Sequence, residues 1–302
     1  MHYIQNNGIP KIINIALSIG GTGVHIFFLC SGFGLYLSYL IHPITYKEFI
    51  RKRFMKIYIP YIIVIAISAL VPYMYDGNRV SAFLSHVFLY KMFILKYEES
   101  FGPFWYISTL FQFYFLFIPL IHLKEWINNK KKFIYYCIFI SMLWWIITAL
   151  LGIAEQRIWG SFFLQYLWEF ALGMVIAENL YEKNTIKIKT VYLALTVCLG
   201  IGIAGTLKII GGVFVAFNDL FACFGYGALA LLFYKSSLKI LHTCIYNISK
   251  ISYEIYLIHI FIFVSLIQLG WNRYITAIIA FPMCYFVAKI MNKMNHVFLS
   301  RY

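Results

Sequence analysis

The chain has 302 residues, 62% of them apolar and only 12% charged, with a mean hydropathy of +0.79. Soluble domains carry about 25% charged residues, so a soluble fold is excluded and an all-α, polytopic membrane bundle is expected. The net charge of +14 does not point to nucleic acid, because the cations sit in short stretches between apolar runs, where they set membrane topology.

Residues 1–20, MHYIQNNGIPKIINIALSIG, are broken by Gly8 and Pro10 and carry no leader pattern. They are expected to form a loop with a short membrane-edge segment. Nine membrane helices are then expected, at about 24–42, 57–74, 103–122, 133–151, 161–180, 190–210, 213–234, 252–270 and 273–291. The stretch 79–96, RVSAFLSHVFLYKMFILK, is apolar but holds Arg79, His86, Lys91 and Lys96. It is expected to be a helix lying in or dipping into the membrane interface. A basic hinge (Lys47, Arg51, Lys52, Arg53 and Lys56) joins the first span to the second, which Pro60 opens.

With nine spans, eighteen of the twenty-five Lys and Arg residues fall on one side of the bilayer and seven on the other. The richer side is the cytoplasm, which makes the protein a multi-pass resident of the cell membrane with its C-terminus inside. The six cysteines, Cys30, Cys137, Cys198, Cys223, Cys244 and Cys284, show no CxxC spacing. They read as packing residues, with no metal site.

Ionisable groups within spans are candidates for function. His25 stands alone in the first span, Glu169 sits in LWEFALG and Asp219 in AFNDLFA. The run ISYEIYLIHI places Ser252, Tyr256 and His259 on one helix face. A bland reading stands beside each: His25 bonding a neighbouring helix, Glu169 and Asp219 pairing with cations to hold helices together, and the aromatics forming interface belts and packing. The Lys130–Lys132 run reads as topology only. Ser31, Gly32 and Gly34 would let a neighbouring helix or a ligand approach the backbone. The cations from Arg51 to Lys56 would make a pocket for phosphates.

Five stretches, in order along the chain, resemble the acyltransferase-3 family of membrane enzymes. GVHIFFLCSGFG is similar to its GV-x-(I/L)-F-F-x-x-SGF signature, and RKRFMKIYIPY to the basic segment that follows. FGPFWYISTLFQFYFLFIPLI, with Trp105, Tyr106 and Pro119, resembles the family's W-(F/Y)-(I/L)…P-L span. LWEFALGM resembles a later F-x-LG helix, and ISYEIYLIHI its S-Y-x-I-Y-L-x-H segment. The resemblance implies a ten-helix bundle that moves an acyl group, usually acetyl from acetyl-CoA, to a hydroxyl of a cell-surface glycan or its lipid-linked precursor.

It also implies a first helix bearing an arginine, with a histidine about ten residues on. His2 falls where that histidine belongs, so the helix is expected ahead of Met1, lost either to a misplaced start or to a genuine truncation. The site that follows from the resemblance has His2 as general base and Arg53, Lys56 and Arg51 on the phosphates of acyl-CoA. Ser31, Gly32 and Gly34 lie along the pantetheine, and Trp105, Tyr106, His259 and Glu169 face the acceptor. No GxSxG is present, so direct attack of the sugar hydroxyl on the thioester is expected. Two rival readings are a transporter or flippase using His25, Glu169, Asp219 and His259, and an inactive truncated homologue.

Overall fold

The structure is a computed structural model that describes residues 23–102, 104–154, 156–184 and 188–299. His2 lies outside them. Regular structure among the described residues is helical: α1 Val24–Ile41, α2 Tyr46–Arg53, α3 Ile59–Leu70, α4 Arg79–Val87, α5 Trp105–Ile127, α6 Lys130–Leu150, α7 Leu167–Tyr181, α8 Thr190–Ile210, α9 Asn218–Lys235, α10 Lys239–Ser249, α11 Ser252–Gln268 and α12 Arg273–Leu299. Each expected span falls on a helix.

Among the described residues, six helical stretches are long and apolar enough to cross a membrane, and α10 with α11 makes a seventh if that pair, bent by 73°, is one span. The helices α7 and α9 fall short in length or apolarity, and these two carry Glu169 and Asp219. The chain is a multi-pass, all-α membrane protein.

Three local features differ from expectation, each for a physical reason. The basic hinge is not a loop: α2 runs into α3 through a π-helical turn, Phe54–Tyr58. Pro60 has no N–H, and in a regular helix its ring would collide with the Lys56 carbonyl four residues back. The wider turn relieves this, and Ile59 N–H bonds the Phe54 carbonyl five residues back.

The interfacial helix stops at Val87. Leu89 adopts φ 59°, and the segment beyond it folds into two short 3-10 turns, Lys91–Phe93 and Leu95–Tyr97. The stretch after Lys235, expected as a loop, forms α10. In α5, by contrast, Pro119 is absorbed without a break, and the Phe115 carbonyl that it orphans accepts a bond from Tyr46 Oη at 3.4 Å.

The chain forms two compact units. The first comprises Thr109–Ser236 with the segment up to Tyr46. Its central seam is the crossing of α1 and α7, where two glycines let the backbones touch. A Cβ at Gly32 would lie 2.1 Å from the Phe170 carbonyl oxygen, and one at Gly173 the same distance from that of Leu29. The α8–α9 crossing uses Gly200 and Gly225 in the same way, with a Cβ at Gly200 only 2.7 Å from the Gly225 backbone.

Aromatic side chains fill the space around the first seam: Phe113 stacks on Phe170 at 4.5 Å, Phe28 on Tyr166 at 4.4 Å, and Trp145 packs edge-on against Trp168. At the other end of α7, Lys124 pairs with Glu178 at 2.7 Å and Lys130 with Glu182 at 2.5 Å. Lys130 is therefore an ion-pair partner as well as a topology signal.

The second unit comprises Lys47–Ser108 and the chain from Ser237 onward. In it α11 packs along α12, α3 meets α4 and α11, and Tyr253 Oη bonds the Ile57 carbonyl inside the π-turn at 2.5 Å.

Candidate functional site

In the first unit His25, Glu169 and Asp219 converge. Each lies in the first turn of its helix, α1, α7 and α9 respectively. For the two carboxylates that position is favourable, because the first turn presents unbonded N–H groups and the positive end of the helix dipole. His25 Nδ1 lies 2.9 Å from Glu169 Oε1, and Nε2 lies 3.0 Å from Asp219 Oδ1. Gln165 Nε2 donates to Asp219 Oδ2 at 2.5 Å, and the Gln165 carbonyl accepts from Trp145 Nε1 at 3.3 Å.

The Tyr166 ring lies 5.5 Å from the imidazole, and its hydroxyl bonds the Gly160 carbonyl at 2.6 Å. Glu169 is fully buried and its Oε2 has no hydrogen-bond partner among the described residues. A neutral imidazole has one N–H, so a ring gripped from both sides by carboxyl oxygens needs one more proton, on its second nitrogen or on a carboxyl. The cluster therefore fixes three helix ends around a shared proton. His25 is only 5% exposed, with both nitrogens engaged, which suits a holding role more than attack on a substrate. Glu169, expected beside the acceptor, is turned to His25 instead.

The second unit holds two polar groupings. In one, His86 is buried on α4. Its Nδ1 lies 2.6 Å from Tyr61 Oη and its Nε2 3.0 Å from Ser100 Oγ. Lys91 is also fully buried, and its ammonium donates to the carbonyls of Ser100 at 3.2 Å and Gly102 at 3.0 Å. Burial pushes the Lys91 amine down to about 7, against the pull of Glu99 and Glu98. Burial, and then the charge of Lys91, pushes the His86 imidazole well below its ordinary value. Together these bonds tie the connection between α3 and α5 to α3.

The other grouping is aromatic. Tyr106 meets Tyr256 edge-on at 5.6 Å, Phe104 meets Tyr256 at 6.1 Å, and the Tyr256 ring lies 5.9 Å from that of His259. His259 Nδ1 donates to the Tyr256 carbonyl at 2.7 Å, which leaves Nε2 as the acceptor nitrogen of a neutral ring. Trp105 is half-buried beside Tyr106. The sequence-predicted residues Trp105, Tyr106 and His259 thus share this unit.

On α2 and the π-turn, Arg51, Lys52 and Lys56 are exposed, while Arg53 is half-buried with its guanidinium 5.3 Å above the Phe49 ring. Ser31 is half-buried and Gly34 exposed. Gly32 is spent on the α7 crossing, which leaves no room for a ligand on that side.

Sequence reasoning gave His25 a bond to an unnamed neighbouring helix, which the structure supplies twice over, and expected Lys or Arg beside Glu169 and Asp219, where the structure places His25. It missed Gln165 and Tyr166, and it read His86 and Lys91 only as interfacial charges. The signal for these two was present: a histidine and a lysine five residues apart in an apolar stretch. Among the described residues, no group of three or more His, Cys, Asp and Glu side chains could hold a metal ion.

The chain matches no curated protein and no solved structure. A family profile described as an acyltransferase domain matches residues 1–290, nearly the whole chain. That match takes in both units and both polar groupings of the second, and it places the chain in the acyltransferase-3 family, as a membrane acyltransferase.

Proposed function

We propose that the protein transfers an acetyl group from acetyl-CoA to a hydroxyl of a cell-surface polysaccharide or its lipid-linked precursor. The single observation that carries this reading is the family match over residues 1–290. Acyl transfer to a hydroxyl needs a base, a held donor and stabilisation of the tetrahedral oxyanion.

In this reading His2 takes the hydroxyl proton as the oxygen attacks the thioester carbonyl, and coenzyme A leaves as the thiol. Arg51, Arg53 and Lys56 hold the phosphates of the donor. The exposure of Arg51 and Lys56 and the rigid helical seat of all three support this, since charge-assisted contacts to phosphate gain from fixed geometry. Ser31 and Gly34 lie along the pantetheine, and Trp105, Tyr106 and His259 receive the sugar on aromatic faces. The surplus of cations on one side supports a cell-membrane protein with a cytoplasmic C-terminus.

The test is transfer of radiolabelled acetyl from acetyl-CoA to cell-envelope glycan in membranes containing the protein. Label in the glycan that disappears in His2→Ala and is weakened at low donor concentration in Arg53→Ala is the expected result. Equal transfer by His2→Ala refutes the assignment of the base.

A further inference from the structure

In the second unit α10 meets α11 at a 73° bend. Because α11 packs along α12, α10 swings away from α12 and leaves a wedge between them. This is a cavity of about 310 Å³, lined by Cys244, Asn247 and Ile248 from α10 and by Phe281, Pro282, Tyr285 and Phe286 from α12. Its volume is at the lower end of the roughly 300–1,000 Å³ typical of ligand pockets. Its walls are almost wholly apolar.

No residue of α10 is buried. Leu238 before it and Ile240, Ile245 and Tyr246 within it are 61%, 82%, 45% and 60% exposed, while Lys239 and His242 share the same helix. An amphipathic helix with exposed apolar residues, set across its neighbours, is built to lie in the plane of a membrane interface.

The charge around the wedge has one sign. The two helices that line it, α10 and α12, hold Lys239, Arg273, Lys289 and Lys293 and no acid, and the acid next to them along the chain is Glu254. That carboxylate is occupied, since its Oε1 accepts from Asn292 at 3.1 Å and Asn295 at 3.2 Å. Lys289 and Lys293 are both exposed on α12, and no carboxylate pairs with either among the described residues. They follow Tyr285 at i+4 and i+8, so they continue the same helix face beyond the cavity wall.

We propose that this wedge is a binding site for one acidic phospholipid. An acyl chain lies in the groove between α10 and α12, and the headgroup phosphate is held by Lys289 and Lys293. A hydrocarbon slot that ends in unpaired cations at the level of an interfacial helix matches both ends of such a lipid. The binding itself needs neither donor nor acceptor.

The test uses the full chain in phosphatidylcholine nanodiscs doped with phosphatidylglycerol, with the retained lipids counted by native mass spectrometry. Phosphatidylglycerol should be enriched on the protein over its share of the bilayer. Replacing both lysines, K289Q with K293Q, should lower that retention on the order of tenfold, and the Lys→Arg pair should restore it. Ile248→Trp should plug the groove and abolish retention with thermal unfolding unchanged. Equal retention of phosphatidylcholine, or unchanged retention in both the glutamine pair and Ile248→Trp, overturns the proposal. Displacement of phosphatidylglycerol by an equimolar polyprenyl phosphate overturns the phospholipid as occupant. All these readouts are binding, so a failed acetyl-transfer assay leaves them untouched, and the converse holds too.

Discussion

Gly32 and Gly34 stand two residues apart on α1, and the structure assigns opposite outcomes to the same substitution. A methyl group at Gly34 would meet nothing within 4 Å, whereas at Gly32 it would lie 2.1 Å from the Phe170 carbonyl oxygen. Ordinary carbon–oxygen contacts are about 3.3–3.6 Å. Alanine at Gly32 therefore forces the α1–α7 seam open by more than 1 Å, and neither partner atom is a side chain that can turn aside.

Alanine in a helix interior gains about 0.8–1 kcal/mol over glycine, and at Gly34 that gain is collected in full. At Gly32 it is outweighed by overpacking, which costs about 1–3 kcal/mol and more where backbone must move. The same displacement unseats Gly173 from Leu29 and strains the 2.9 Å bond between His25 and Glu169. With the cost at the upper end of that range, the net loss is about 2 kcal/mol. Thermal unfolding in one detergent should rank Gly34→Ala at or above the wild type and Gly32→Ala several degrees below it. A Gly32→Ala protein as stable as the wild type would refute the helix crossing itself.

Removing the imidazole with His25→Ala leaves two buried carboxylates facing each other without a cation or shared proton. A loss of about 3–5 kcal/mol is expected, read as collapse of folded yield, with much of it recovered when Glu169→Gln and Asp219→Asn are added. Lys91 predicts a pH dependence. Its folded value of about 7 lies below its ordinary value of 10.5, so between these the unfolded segment binds a proton that the folded one does not. Stability of the 79–102 connection therefore rises with pH through that window and is least below 7.

The depressed His86 acts in the same direction below its ordinary 6.5. Hydrogen exchange of this segment, corrected for intrinsic rate, should be faster at acid than at alkaline pH, and Lys91→Met should flatten the dependence above neutrality. Arg53→Ala should raise KM for the acyl donor several-fold with kcat little changed, as loss of a uniform phosphate contact requires.

The long spans were legible because a membrane helix must satisfy its backbone internally and be apolar for its whole length, and both demands are written in composition. The 190–210 helix was found to the residue for this reason. The stretches 161–180 and 213–234, expected as spans, hold the shorter or more polar α7 and α9. Pairing is a different matter. His25, Glu169 and Asp219 are separated by 144 and 50 positions, and nothing in local pattern brings three helix ends together. That a helix could approach Gly32 was legible from its size, but that Phe170 is what it meets was not.

The fate of Pro60 was half legible. A proline after a basic stretch signals a break, yet a helix can also respond by widening one turn, and that choice depends on neighbours such as Tyr253. The role expected of Gly32 beside pantetheine and that of Glu169 beside an acceptor both came from likeness to a family, and the packing gives these two residues other work.

The widened turn between α2 and α3 also works as an angular spacer. One surplus residue sits in Phe54–Tyr58, and each residue of an α-helix advances the azimuth by about 100°. With Pro60 replaced by alanine the turn could wind regularly, and the surplus residue would then swing Arg51, Lys52 and Arg53 around the axis by that amount, with the apolar helix beyond left in place. The bearing of the cationic face is thus set by the width of one turn, and a change at Pro60 would re-aim it where the loss of a single cation would only weaken it.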